Sequence, residues 1–420
     1  MRQDDDHAAS PAFPAVLPVA VSGVRASSPD GATEAAAPPA QAKAAQAKPE
    51  PAKPEPAKSA PAKPEPVKPE PPRAAGRRRD RAPLPVVMAA CAALLLVTMV
   101  AGVGLGSVGL SPAAVLHVVS EQLSGHPDNT VAGIIVWQIR LPRVLLAAVV
   151  GAALTTAGVV VQVLVRNALA DPFLLGVSSG ASVGATAVLL LGAFASLGVW
   201  AISVGSVLGA LVAMAVVFGV SQSGRGLAPT QLILCGVVLS AMFESVTSFL
   251  IFRGNPQATQ SVLFWLLGSF GLASWNQLPI PVLALVAVMV YLLAQGRSLN
   301  ALAMGAEPAA ALGIDVQRLR RNLFFAASLL AGVSVAVSGV IGFVGLVVPH
   351  IVRLIVGSDH RRVLPTGVLF GASFMVLGDL LARTIVAPQE MPMGVITAFI
   401  GAPTLLILIR RRPYLYGATQ

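Results

Sequence analysis

The chain has 420 residues and a formal net charge of +10, yet only 11% of its residues are charged and 55% are hydrophobic. Its mean hydropathy is +0.76, whereas a soluble chain carries about a quarter charged residues. These values exclude a soluble multidomain enzyme and point to a polytopic membrane protein.

Residues 1–82 read as a disordered tail. Between Lys48 and Pro72 the chain repeats Lys-Pro-Glu-Pro-Ala, which favours extended polyproline II and offers no apolar face to bury. Asp4, Asp5 and Asp6 spoil the basic start of a secretory signal. Arg77, Arg78, Arg79 and Arg81 abut the first apolar run, which places the amino terminus in the cytoplasm. All six lysines lie in this tail, the last being Lys68. A phosphate-binding P-loop needs a lysine after its glycines, so the body holds no such site and any ATP hydrolysis belongs to another subunit.

A spanning helix takes about 20 apolar residues. Candidates are 85–105, 143–165, 173–194, 198–219, 229–252, 279–295, 322–342, 364–386 and 394–409. The Arg318, Arg320, Arg321 cluster and Asp359-His360-Arg361-Arg362 both read as cytoplasmic, so an even number of crossings must separate them. A short helix from Gly345 to Gly357, turning back after Gly342, supplies the second crossing. That makes ten spans, and Arg410, Arg411 and Arg412 put the carboxyl terminus inside as well. The expected fold is therefore all-α and membrane-embedded, with 83–420 as the spanning domain. The body's charge of +7 maps topology, not a nucleic-acid surface.

Arg140, Arg143, Arg253 and Arg383 fall on the outer side. Charge alone leaves two readings, tolerated outer arginines or a docking surface for an acidic partner. Gly176, Gly180 and Gly184 form a ridge of small residues, and Gly205 with Gly209 repeats it one span later, the spacing for close helix packing in lipid. Glu244 and Asp379 are acids inside spans, each costly to bury. Asp379 stands four residues before Arg383, which predicts a local ion pair. Glu244 has two readings, lining a polar pathway or bonding a neighbouring serine. The five histidines are scattered, so neither catalytic residues nor a metal site is expected.

Seven strings now stand in order. They are Trp137-Gln-Ile-Arg-Leu-Pro-Arg143, Gly151-Ala-Ala-Leu154, Arg166-Asn-Ala-Leu-Ala-Asp-Pro172 with Leu174 to Gly184, and Trp265-Leu-Leu-Gly-Ser269. Gly342-Phe-Val-Gly-Leu-Val-Val-Pro-His-Ile-Val-Arg353, Asp359-His-Arg-Arg362 and Met391-Pro-Met-Gly-Val-Ile-Thr-Ala-Phe-Ile-Gly-Ala-Pro403 follow. From about residue 85 to 412 the series resembles the FecCD family of ABC transporter permeases, which import ferric siderophores, haem and cobalamin in bacteria. The tail lies outside the resemblance.

The resemblance implies a type II importer permease fold of ten helices in the inner membrane. Its implied partners are a second permease subunit, identical or paralogous, two cytoplasmic ATPases, an outer substrate-binding protein and membrane lipid. No cofactor is implied. Arg140, Arg143 and Arg383 match the outer arginines that receive the binding protein's glutamates. The loop 297–321 matches the segment that couples to the ATPase, with Gly305, Glu307, Ala309, Leu312 and Gly313 in the family pattern and Ala306 where a second acid is common. Read by itself, Glu307-Pro308 suits a helix start and Gly313 its stop. Pro229 and Thr230 fall where the family places its cytoplasmic gate, and Glu244 lies near the pathway. Ala168 replaces a usual proline. The leading cargo is a ferric siderophore and the alternative is haem or cobalamin; a secondary transporter or a membrane enzyme is the rival from another class.

Overall fold

A computed structural model describes residues 83–106, 109–125, 130–223 and 226–411. The tail 1–82, Arg225 and Arg412 lie outside these residues. The described residues are nearly all helical. Its helices are α1 (Leu84–Gly104), α2 (Pro112–Leu123), α3 (Val131–Ile134), α4 (Leu141–Val165), α5 (Val177–Leu191), α6 (Ala201–Ser221), α7 (Pro229–Arg253) and α8 (Pro256–Leu266). There follow α9 (Pro279–Ala294), α10 (Gly296–Met304), α11 (Ala306–Ala311), α12 (Val316–Ser338), α13 (Val344–Val356), α14 (His360–Thr384) and α15 (Met393–Arg411).

Seven helical stretches are long and apolar enough to cross a membrane, and three shorter apolar helices, Val177–Leu191, Val344–Val356 and Met393–Ile407, complete the ten apolar segments expected. Local chemistry sets their starts. Proline occupies the first turn of α1, α7 and α9, where its missing N–H costs nothing. Asn255, Asp315 and Asp359 cap α8, α12 and α14, accepting from Ala258 N at 2.8 Å, Arg318 N at 3.0 Å and Arg361 N at 3.1 Å.

Several boundaries differ from expectation. The span expected at 173–194 begins at Val177, because Pro172–Leu175 forms a 3-10 turn and Gly176 then adopts a left-handed φ of 74°. The span expected at 322–342 begins six residues earlier, at Val316, and ends at Ser338. The amphipathic helices α2 and α8 have no counterpart among the expected elements, α10 occupies the start of the expected coupling segment 297–321, and the link from α6 to α7 is a small antiparallel hairpin, Gln222–Ser223 with Gly226–Leu227.

At the centre stands α4, with 21 of its 25 residues buried. A helix apolar on all sides must be surrounded, and α1, α12, α13 and α14 pack around it. Glycines set the closest approaches. A Cβ on Gly184 would stand 2.0 Å from Gly205 O, and one on Gly209 would stand 2.1 Å from Gly180 O, so α5 and α6 meet backbone to backbone. Gly176 departs from that predicted ridge and faces Gly236 of α7 instead.

Candidate functional site: a hydroxyl-lined cavity and an arginine cluster

A cavity of about 880 Å³ lies along α5, α7 and the turn into α13. One face of α7 supplies Val237, Ser240, Ala241, Glu244, Thr247, Ser248 and Ile251, a run with the three-to-four spacing of a single helical face. Ser178, Ser179 and Ser182 of α5 stand opposite. Ser179 Oγ donates to Gly176 O at 2.9 Å and reaches Ser240 Oγ at 3.1 Å, and Ser182 Oγ donates to Ser178 O at 2.9 Å. Thr247 Oγ1 is buried and has no hydrogen bond among the described residues. Glu244 is exposed and lines this space. Asp171 also lines it; burial pushes its carboxyl up to about 6, against the Phe173 N–H that it accepts at 2.9 Å.

Arg140, Arg143 and Arg383, expected on the outer side, share one cluster and are all engaged within the chain. Before α4 the helix passes through a π-helical segment, Ile135–Arg140, which accommodates Pro142 without its N–H. Arg140 is thereby aimed at the end of α1, donating to Val103 O at 2.9 Å and Gly104 O at 3.0 Å. Arg383 donates to Gly102 O at 2.9 Å. The last turn of α1 has no basic residue, so these two guanidinium groups satisfy its orphan carbonyls and complement its dipole.

Arg143 is buried, and each of its three nitrogens donates to a carboxylate. Its Nε donates to Asp379 Oδ1 at 2.9 Å, while Nη1 and Nη2 bind Glu390 in bidentate fashion at 2.9 and 3.0 Å. Arg383 Nε lies 3.1 Å from Asp379 Oδ2, the predicted local pair, although its N–H is directed toward the Asp379 carbonyl. A partner's carboxylate would therefore have to compete with Glu390 for Arg143. Nearby, Trp275 Nε1 donates to Trp137 O at 2.8 Å and the two rings lie 5.0 Å apart.

The loop 297–321 divides into α10, α11 and the start of α12. Glu307 opens α11, and Gly313, with φ of 76°, follows its end, as the sequence predicted. Gly305 also has positive φ, 143°, at the break between α10 and α11. Ala309 is buried, whereas Glu307, Leu312 and Met304 are exposed. Asn300 ties α10 to α14: its Nδ2 donates to Asp359 Oδ1 at 2.8 Å and its Oδ1 accepts from His360 N at 2.9 Å. That amide, above all, holds the Asp359 carboxyl below the usual range, helped by Arg361 N–H and the nearby guanidinium groups of Arg361 and Arg362. Pro229 and Thr230 form the first turn of α7, where Pro229 is half-buried and Thr230 exposed; neither lines the large cavity. Among the described residues no three His, Cys, Asp or Glu side chains gather to hold a metal.

Residues 94–411 match the model of the FecCD transport family. The chain belongs to the FecCD transport family. Similar proteins include a Bacillus subtilis ABC transporter permease of uncharacterised role, YvrB, 42% identical over 76% of this chain and 91% of its own. The Yersinia pestis hemin transport system permease HmuU is 41% identical over 66% of this chain and 84% of its own. A vitamin B12 import permease, BtuC of Escherichia coli, is also 41% identical, over 65% of this chain and 83% of its own. A metal-chelate type ABC transporter solved in an inward-facing conformation matches with a TM-score of 0.69 and 32% identity, over 78% of this chain and 99% of that one.

In this FecCD permease, sequence reasoning missed Glu390. It lies one residue before the quoted Met391 string and outside every helix, with no local partner to advertise it. Of the cavity serines, Ser178, Ser179 and Ser182 fall within the Leu174 to Gly184 string and Ser240 and Ser248 within none; the three-to-four spacing of Ser240, Glu244, Thr247 and Ser248 was the signal available for finding the latter.

Proposed function

We propose that this ABC importer permease carries a polar metal chelate, with a ferric siderophore as the leading cargo, through the cavity between α5, α7 and α13. One observation carries the reading: a cavity of about 880 Å³ whose polar lining is five serines, a threonine and the carboxylates of Glu244 and Asp171. Its size suits a multidentate chelate. Its hydroxyl groups suit a cargo presenting many hydrogen-bonding oxygens better than a flat apolar macrocycle. Haem and cobalamin are the competing cargoes, since relatives named for hemin and vitamin B12 transport are each 41% identical to this chain.

The chain acts with separate ATPases and a second permease subunit, in the bacterial inner membrane with both termini cytoplasmic. Exposed Glu307, Leu312 and Met304 beside buried Ala309 offer an apolar and acidic face for the ATPase, with Gly305 and Gly313 setting the bends on either side. Pro229 and Thr230 begin the pathway helix on that side, where a gate would act. On the other side, an outer binding protein's carboxylate displaces Glu390 from Arg143, with Arg140 and Arg383 completing the positive cluster. Glu390→Gln should then tighten docking; unchanged docking would refute the exchange.

The cargo assignment is tested by reconstituting the permease with its ATPase and binding protein in proteoliposomes. Uptake of a ferric hydroxamate should exceed that of haem and cobalamin under the same conditions. Preferential uptake of either macrocycle would overturn the siderophore reading.

A further inference from the structure

We propose that the groove between α6 and α12 binds one anionic phospholipid, its headgroup at the arginine end and an acyl chain along the helices. At that end a cavity of about 450 Å³ is bounded by Phe218, Gln222, Asp315, Arg318 and Arg321, with Gly226 and Leu227 of the paired strand as its wall. The wall is fixed in place: Gln317 Oε1 accepts from Leu227 N at 2.9 Å, and Arg320 Nη1 donates to Leu227 O at 3.3 Å. Asp315 is the cavity's only carboxylate among the described residues, and one of its oxygens accepts from Arg318 N as the helix cap. Arg318 and Arg321 are exposed, and neither has a carboxylate within ion-pair distance among the described residues. Two cationic forks therefore face a cavity with one opposing charge.

Immediately along the same helices lies a second, apolar cavity of about 240 Å³, lined by Leu211, Met214, Phe325, Leu329 and Val333 among others. The Phe218–Phe325 contact stands between the two, with ring centroids 5.0 Å apart: Phe218 bounds the basic cavity and Phe325 the apolar one. On α12, Arg318, Arg321, Phe325 and Leu329 follow one another at three- and four-residue steps and are all exposed, so charge passes into hydrocarbon along a single helical face. A phosphodiester with attached acyl chains has that order of chemistry, and a basic recess between spanning helices favours an anionic headgroup. A free phosphate would leave the apolar half uncovered, and a zwitterionic lipid would leave the charge unanswered.

The test is native mass spectrometry of the full chain, delipidated in detergent and titrated with phosphatidylglycerol or phosphatidylcholine. Phosphatidylglycerol should bind about tenfold more tightly, since each arginine near a headgroup is worth about 1 kcal/mol and Asp315 offsets part of the sum. The exposed double variant Arg318→Gln, Arg321→Gln should lose that preference while eluting as the folded chain. Leu329→Trp, which fills the groove, should weaken both lipids, and glycerol 3-phosphate at equal concentration should not displace the bound lipid. Equal binding of the two lipids, a preference that survives the double variant, or displacement by glycerol 3-phosphate would each overturn the proposal. Loss of the lipid when the ATPase or excess permease is added would also overturn it, making the face a protein interface.

Discussion

Asp379→Ala removes a side chain with no exposed surface from between two guanidinium groups. In the native chain Asp379 receives Arg143 at 2.9 Å and faces Arg383 at 3.1 Å, and both arginine side chains are 8% exposed. Without it, Arg143 retains only Glu390, whose side chain is 46% exposed, and Arg383 faces Arg143 without a mediating anion. Removing one partner of a buried ion pair costs about 3–5 kcal/mol, because the remaining charge is left uncompensated. Glu390→Ala breaks a bidentate contact too, but at a half-exposed site, where such a pair contributes about 1 kcal/mol or less. Restoring neutrality should recover stability, so Arg143→Met combined with Asp379→Leu should be less damaging than Asp379→Ala alone. The assay is reversible unfolding in mixed detergent micelles, followed by tryptophan fluorescence. Equal costs for Asp379→Ala and Glu390→Ala would refute the argument, as would a double variant that merely adds the two losses.

Gly184→Ala would place a methyl 2.0 Å from Gly205 O, forcing α5 from α6 at a cost of about 1–3 kcal/mol or more, whereas Gly219→Ala meets nothing within 4 Å and should gain about 0.5–1 kcal/mol; unfolding in the same micelles compares them. Asn300→Ala should loosen α10 from α14 and lower transport-coupled ATP hydrolysis in the reconstituted importer while the permease remains folded. It should also let the Asp359 carboxyl rise toward its ordinary value. Because the native value is depressed, the wild type's advantage from this contact should be present at neutral pH and fade as pH falls through the carboxylate range, which a pH series of thermal unfolding checks. Glu244→Gln should change the relative uptake rates of cationic and neutral chelates; identical rates for all of them would remove Glu244 from cargo selection.

The ten apolar segments were legible because lipid demands long apolar runs and arginines mark the loops between them. The α5–α6 contact was legible for a related reason: Gly180, Gly184, Gly205 and Gly209 repeat at the spacing of one helical face. The amphipathic helices α2 and α8 were not legible because they are too short and too polar to register as spans, whereas α10 falls in the segment 297–321 that the family resemblance marked out. The start of α5 was misplaced because Asp171-Pro172 is a good helix start in isolation, and only the left-handed Gly176 reveals that the first turn is separate. The arginine cluster shows the deeper limit. Sequence could place Arg140, Arg143 and Arg383 on one side, but the π-helical segment that turns Arg140 toward the α1 carbonyls has no composition of its own. Nor could spacing pair Arg143 with Glu390, which lies 247 residues away.

The central claim is that cargo passes through the cavity lined by Ser178 and Ser248. In a chain with Cys91 and Cys235 replaced, Ser178→Cys and Ser248→Cys are each treated with a bulky thiol reagent in reconstituted proteoliposomes. Modification should stop chelate uptake while ATP hydrolysis continues, and saturating chelate during turnover should slow the labelling. Full uptake through a fully labelled cavity would contradict the account.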